Sequence, residues 1–107
     1  METKQLSQRN ASFTCQRTDL SNALKILGNT KLRVTTVATS FAEHKIYLKT
    51  DMLELPVTCI DPKGTDVTFS ILITLLKKYC RFTPEKEYHF VIKNDELQIN
   101  STIFNVK

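Results

Sequence analysis

The sequence predicts an α+β fold: two βαβββ repeats forming antiparallel sheets, with both helices on one face. Two Leu-striped segments recur about fifty-five residues apart, a periodicity that constrains a fold more than any single element does. Each is followed by three short runs rich in β-branched and aromatic residues, of the kind that pair as hairpins. Asp61-Pro62-Lys63-Gly64 between the two units is composed like a turn.

The elements follow in order. Residues 1–10 are polar and aperiodic, and are expected to form a flexible tail. From Ala11 the chain is expected to form one domain, 11–107, with half-repeats at about 11–61 and 65–107. Ser12-Phe13-Thr14-Cys15-Gln16 alternates in polarity, as a half-buried strand does. Thr18 is the expected N-cap of the first helix, with Asp19 near its positive end. Leu20, Ala23, Leu24 and Leu27 form the apolar stripe, and Gly28-Asn29 is the stop signal. Strands are expected over 32–38, 44–50 and 54–60, with Pro56 placing the last at an edge.

The second unit repeats the order. Asp66-Val67-Thr68-Phe69 reads as a short strand, and Ser70 as a helix N-cap. Leu72, Leu75, Leu76 and Tyr79 form the second stripe, which ends before Pro84. Strands are expected over 88–92, 96–100 and 103–106, the first two joined at Asn94-Asp95. The expected core comprises Leu20, Leu24, Leu27, Ile46, Leu48, Leu72, Leu75, Leu76, Phe90, Ile92, Leu97 and Ile99.

Composition bounds the function. The 107 residues are 41% hydrophobic and 24% charged, an ordinary globular balance. No run approaches the ~18 apolar residues of a membrane span, and the polar start carries no secretory signal, so an intracellular protein is expected. The three cysteines, Cys15, Cys59 and Cys80, are widely spaced within apolar patterns, as small buried hydrophobes are. His44 and His89 make no metal-binding pair, and the two glycines make no phosphate loop. No catalytic residue, metal or cofactor is expected.

The charge is +4, with fifteen Lys and Arg against eleven Asp and Glu. Its distribution matters more than its size. With the Leu stripe turned inward, Thr74, Lys77, Lys78 and Arg81 fall on the opposite face of the second helix with no acidic residue between them. The first helix offers the thinner set Ser21, Asn22, Lys25 and Asn29. Mobile cations and short hydrogen-bond donors are what phosphate contacts use. Solvation of an exposed face, with cations favoured near the helix C-terminus, asks for the same residues.

Several stretches resemble the DNA sliding clamp superfamily. Residues 13–24, from Phe13-Thr14-Cys15 to Ala23-Leu24, look like the opening strand and helix of a clamp domain. Ile46-Tyr47-Leu48-Lys49-Thr50 through Leu55-Pro56-Val57 look like its paired strands. Asp66 to Leu76 resembles the second strand and helix, and Glu96-Leu97-Gln98-Ile99-Asn100-Ser101 the closing hairpin. The resemblance implies helices side by side that contact duplex DNA without reading sequence, and rings closed edge to edge from six such domains. The expected site is Asn22, Lys25, Thr74, Lys77, Lys78 and Arg81 on duplex DNA, in a processivity or DNA-tethering factor. Sheet edges are expected to allow self-association or a partner protein. A protein-interaction module on the same scaffold is the alternative.

Overall fold

A computed structural model describes residues 10–27 and 34–105. The tail at 1–9, the Gly28-Asn29 stop, the start of the strand expected from Leu32, and Val106 and Lys107 lie outside the described residues.

Strand β1 (Asn10–Gln16) runs into helix α1 (Arg17–Leu27), and strands β2 (Val34–Ser40), β3 (Lys45–Lys49) and β4 (Glu54–Thr58) follow. Then come β5 (Ile60–Gly64), β6 (Thr68–Leu72), helix α2 (Ile73–Phe82), β7 (Glu87–Lys93), β8 (Glu96–Ile99) and β9 (Thr102–Asn105). The strands build two antiparallel sheets, in the orders β5-β1-β7-β8-β9 and β4-β3-β2-β6.

Both sheets follow one rule. β1 pairs with β7, so the opening strand of the first half joins the three-strand meander of the second. β6 pairs with β2, the converse exchange. Neither half can complete a sheet alone, which ties residues distant in sequence into one core. That core runs from Phe13, Cys15 and Phe90 through Leu20, Leu24 and Leu76 to Ile46, Leu48 and Phe69. Phe13 and Phe90 stack at 4.8 Å, while Tyr79 meets Tyr88 and Phe104 edge-on at 5.3 and 5.8 Å. Such pairs add about 0.5–1.5 kcal/mol each beyond the area they bury.

Strand β5 corrects the turn expected at Asp61–Gly64. These residues pair with β1, Gly64 opposite Ala11 and Lys63 opposite Ser12, with a register shift before Thr14. Turn-forming composition is local, whereas the open side of β1 is a tertiary template that overrides it. Pro62 is tolerated because β5 is an edge strand. Asp61 and Gly64 have φ of 51° and 92°, so the turn chemistry survives as kinks within the strand. At Gly64 a Cβ would lie 2.3 Å from the Asn10 carbonyl oxygen. The strand expected over 54–60 accordingly breaks near Cys59: β4 stays on β3 and β5 crosses to the other sheet.

The second helix is shifted in phase. Ser70 belongs to β6 and caps nothing; α2 starts at Ile73 after an extended Leu72 that makes no side-chain cap. Phe69, Ile71 and Ile73 are buried at strand spacing, and Ile73, Leu76 and Cys80 then continue at helical spacing. Leu72 is only half-buried and Leu75 is 37% exposed, which corrects the core position expected for both. The other ten expected core residues are buried. In α1 the stripe is as expected, though Thr18 sits inside the first turn rather than ahead of it.

Candidate nucleic-acid interface

Helices α1 and α2 pack against each other. Arg17, the first residue of α1, fixes one end of the pair. Its guanidinium donates from Nε and Nη2 to the Cys80 carbonyl of α2, at 3.2 and 2.9 Å, and its backbone N–H donates to the Lys86 carbonyl at 2.8 Å. A cation near the carboxyl end of a helix also interacts favourably with the helix dipole.

Between the helices lies an open cleft of about 260 Å³. Arg17, Ser21, Leu24 and Lys25 line it from α1, and Lys77, Cys80 and Arg81 from α2. Four cations thus converge on one concavity that no acidic side chain among the described residues lines. Like charges at close quarters raise the local positive potential and attract anions. Leu24 and Cys80 form the buried floor. Burial pushes the Cys80 thiol above its ordinary value, a rise that the Tyr88 hydroxyl and the Arg17 charge partly offset. The floor therefore carries a neutral thiol at pH 7 and does not cancel the field.

The expected site residues divide around this cleft. Lys25, Lys77 and Arg81 line it. Thr74 and Lys78 lie on the exposed side of α2 but outside it, Lys78 in a groove beside β9. Asn22 lies on the other flank of α1, against Leu55–Thr58 of β4. The stripe is thus a cleft wall plus an outer row, because the phase shift turns Lys77 inward and exposes Leu75 and Phe82. Arg17 is absent from the expected site. Its position just ahead of the Leu stripe is the only signal the sequence offers, and its partner lies 63 residues away.

Neither histidine belongs to the cleft. His44 follows the short 3-10 turn at Phe41–Glu43, and His89 of β7 contacts Thr14 Oγ1 at 2.9 Å through Nδ1. Among the described residues, no group of three His, Cys, Asp or Glu side chains is placed to hold a metal. No helix among them is long and apolar enough to cross a membrane.

No protein-family model matches the sequence, and no curated protein matches it. Among solved structures, the fold is similar to the DNA polymerase III beta subunit of Thermotoga maritima, with a TM-score of 0.70 and 17% sequence identity. The similarity covers 91% of this chain and 29% of that subunit. The fold is clamp-like. At that identity the likeness concerns architecture alone. The chain spans less than a third of the length of the subunit it resembles.

Proposed function

We propose that this chain is a non-enzymatic, clamp-like DNA-tethering module, acting inside the cell as part of a processivity factor or a related assembly. The observation that carries the reading is the cleft between α1 and α2, where Arg17, Lys25, Lys77 and Arg81 converge with no acidic side chain among the described residues. Duplex DNA presents regularly spaced phosphates, and a concave cation cluster can neutralise several of them at once. Thr74 and Lys78 extend the contact along α2, and Asn22 assists at the rim of α1. Helices side by side on a clamp-like scaffold suit backbone contact, because they offer a broad face and no protruding recognition element. Encirclement of a duplex would take further units of this kind, from copies or other chains meeting at sheet edges.

Fluorescence anisotropy with labelled duplexes of unrelated sequence tests the reading. Equal affinities that fall steeply between about 50 and about 200 mM salt are the expected result. Binding confined to one sequence, or indifferent to salt, would overturn it.

A further inference from the structure

Cysteines widely spaced in the sequence are brought together by the fold. All three are free and buried. Strand β1 lies between β5 and β7, and its Thr14 stands opposite Ile60 of β5. Continuing that antiparallel register by one residue sets Cys15 opposite Cys59, the residue at which the chain leaves β4 for β5. The two side chains share the inner face: Thr14 and Ile60 are half-buried, whereas Cys15 and Cys59 are 0% and 1% exposed. Burial pushes the Cys15 thiol well above its ordinary value, and the charge of Cys59 adds to the rise ahead of Asp19. Cys80 stands apart on α2, with Tyr88 and Arg17 as its electrostatic neighbours.

The backbone lets the pair approach. Arg17 donates its N–H to the Lys86 carbonyl of the neighbouring chain, and the same register places Cys15 opposite Tyr88 of β7. Residues two apart on a strand bond to the same side, so Cys15 directs its N–H and C=O towards β7 and away from Cys59. Cys59 donates its own N–H to the His44 carbonyl, at 2.9 Å, and not to β1. Opposed residues that exchange no backbone bond have Cα atoms about 4.5 Å apart. That spacing lies inside the range of about 4.4–6.8 Å that a disulfide spans.

We propose that Cys15 and Cys59 form a redox latch: a low-molecular-weight disulfide oxidises them to an intramolecular disulfide that fastens β1 to the crossover between the two sheets. One protein thiolate attacks the small disulfide, forming a mixed disulfide and releasing one small thiol. The second protein thiolate attacks the protein sulfur of that mixed disulfide and expels the other small thiol. Two protein thiols are oxidised, one small disulfide is reduced, and the two protons end on the two released thiols. The closed fold restrains the first step, because burial keeps both thiols protonated and the thiolate is the nucleophile. β5 is an edge strand, held on one side only, and its release from β1 uncovers the crossover at Cys59. Closing the disulfide then opposes that release.

The test treats the 107-residue chain with oxidised glutathione, in urea below the unfolding midpoint to raise the open fraction, and then removes the urea. The chain should lose the mass of two hydrogens, and a non-reducing digest should link the peptide bearing Cys15 to that bearing Cys59. The oxidised chain should melt higher than the reduced one by about 8 °C or more, and dithiothreitol should reverse the gain. Cys80→Ala should form the same link and show the same gain. Cys59→Ala should show none, each protein being compared with its own reduced form. If Cys59→Ala does not fold, the digest and melting of the parent and Cys80→Ala decide the matter alone. A link through Cys80, a link between two chains, glutathione adducts without a link, or an oxidised chain that melts no higher than the reduced one would overturn the proposal.

Discussion

The guanidinium of Arg17 holds the Cys80 carbonyl with two hydrogen bonds, joining the first residue of α1 to the last turn of α2. That pairing sets the spacing of the two helices and the width of the cationic cleft. Arg17→Ala removes a charged donor pair and leaves the carbonyl short of partners. It should destabilise the chain by about 1.5–3 kcal/mol. Urea denaturation measures it, and Arg17→Lys should recover only part of the stability because a point charge cannot reproduce the fork.

The phase of α2 is tested by two neighbouring leucines. Leu76 is 2% exposed, and Leu76→Ala should cost about 2–5 kcal/mol. Leu75 is 37% exposed, and Leu75→Ala should cost less than about 1 kcal/mol. A reversal of that order in chemical denaturation would place the helix in the phase that the leucine pattern alone suggests.

Why that pattern misleads is physical. β6 runs directly into α2, so Phe69, Ile71 and Ile73 follow strand spacing and only then does helical spacing begin. Leu72 and Leu75 fit a helix started at Ser70, and they outweigh Ile73 and Cys80 in any reading by hydrophobicity. The first helix has no such ambiguity: a polar Arg17-Thr18-Asp19 separates β1 from Leu20, and its stripe is legible. Hairpin strands are legible for the same reason, since Asn94-Asp95 interrupts their alternation; Asn94 has φ 54°. The five-residue strand at Ile60–Gly64 is not, because only β1 makes it a strand. In the candidate site, Lys77 and Arg81 are legible as a helical pair one turn apart. Arg17 is not, because its role arises from a contact between halves.

Gly64 gives a direct check on β5. At φ 92°, with the Asn10 carbonyl where a Cβ would sit, Gly64→Ala should cost at least about 1–3 kcal/mol. Amide exchange at Ala11 and Ser12 should quicken, as the strand beside them loosens.

Alkaline titration should reveal the burial of Tyr88. Its side chain is fully buried, with its hydroxyl donating to the Thr83 carbonyl, and burial pushes its pKa up to about 12. The folded state therefore holds this proton more tightly than the unfolded chain, whose tyrosines release it near pH ~10. The stabilisation is complete below the unfolded value and is lost as pH rises through the folded one. Stability should thus fall between about pH 10 and about pH 12. Ultraviolet absorbance of the phenolate should show late ionisation, to which Tyr47, raised by its hydrogen bond to Glu43, also contributes, and Tyr88→Phe should remove the part owed to the buried hydroxyl.

The central claim is that the cleft between the helices holds DNA phosphates. Its most direct test compares salt dependence of duplex binding for the parent chain, the cleft variant Lys25→Ala/Lys77→Ala/Arg81→Ala, and a control, Lys63→Ala/Lys93→Ala, on strands away from the helices. Each cation removed from a phosphate should reduce the slope of log affinity against log salt by about 0.9, so the cleft variant's slope should be shallower by about 3. The control should keep most of the parent slope. Equal slopes and affinities for the parent and the cleft variant would contradict the account.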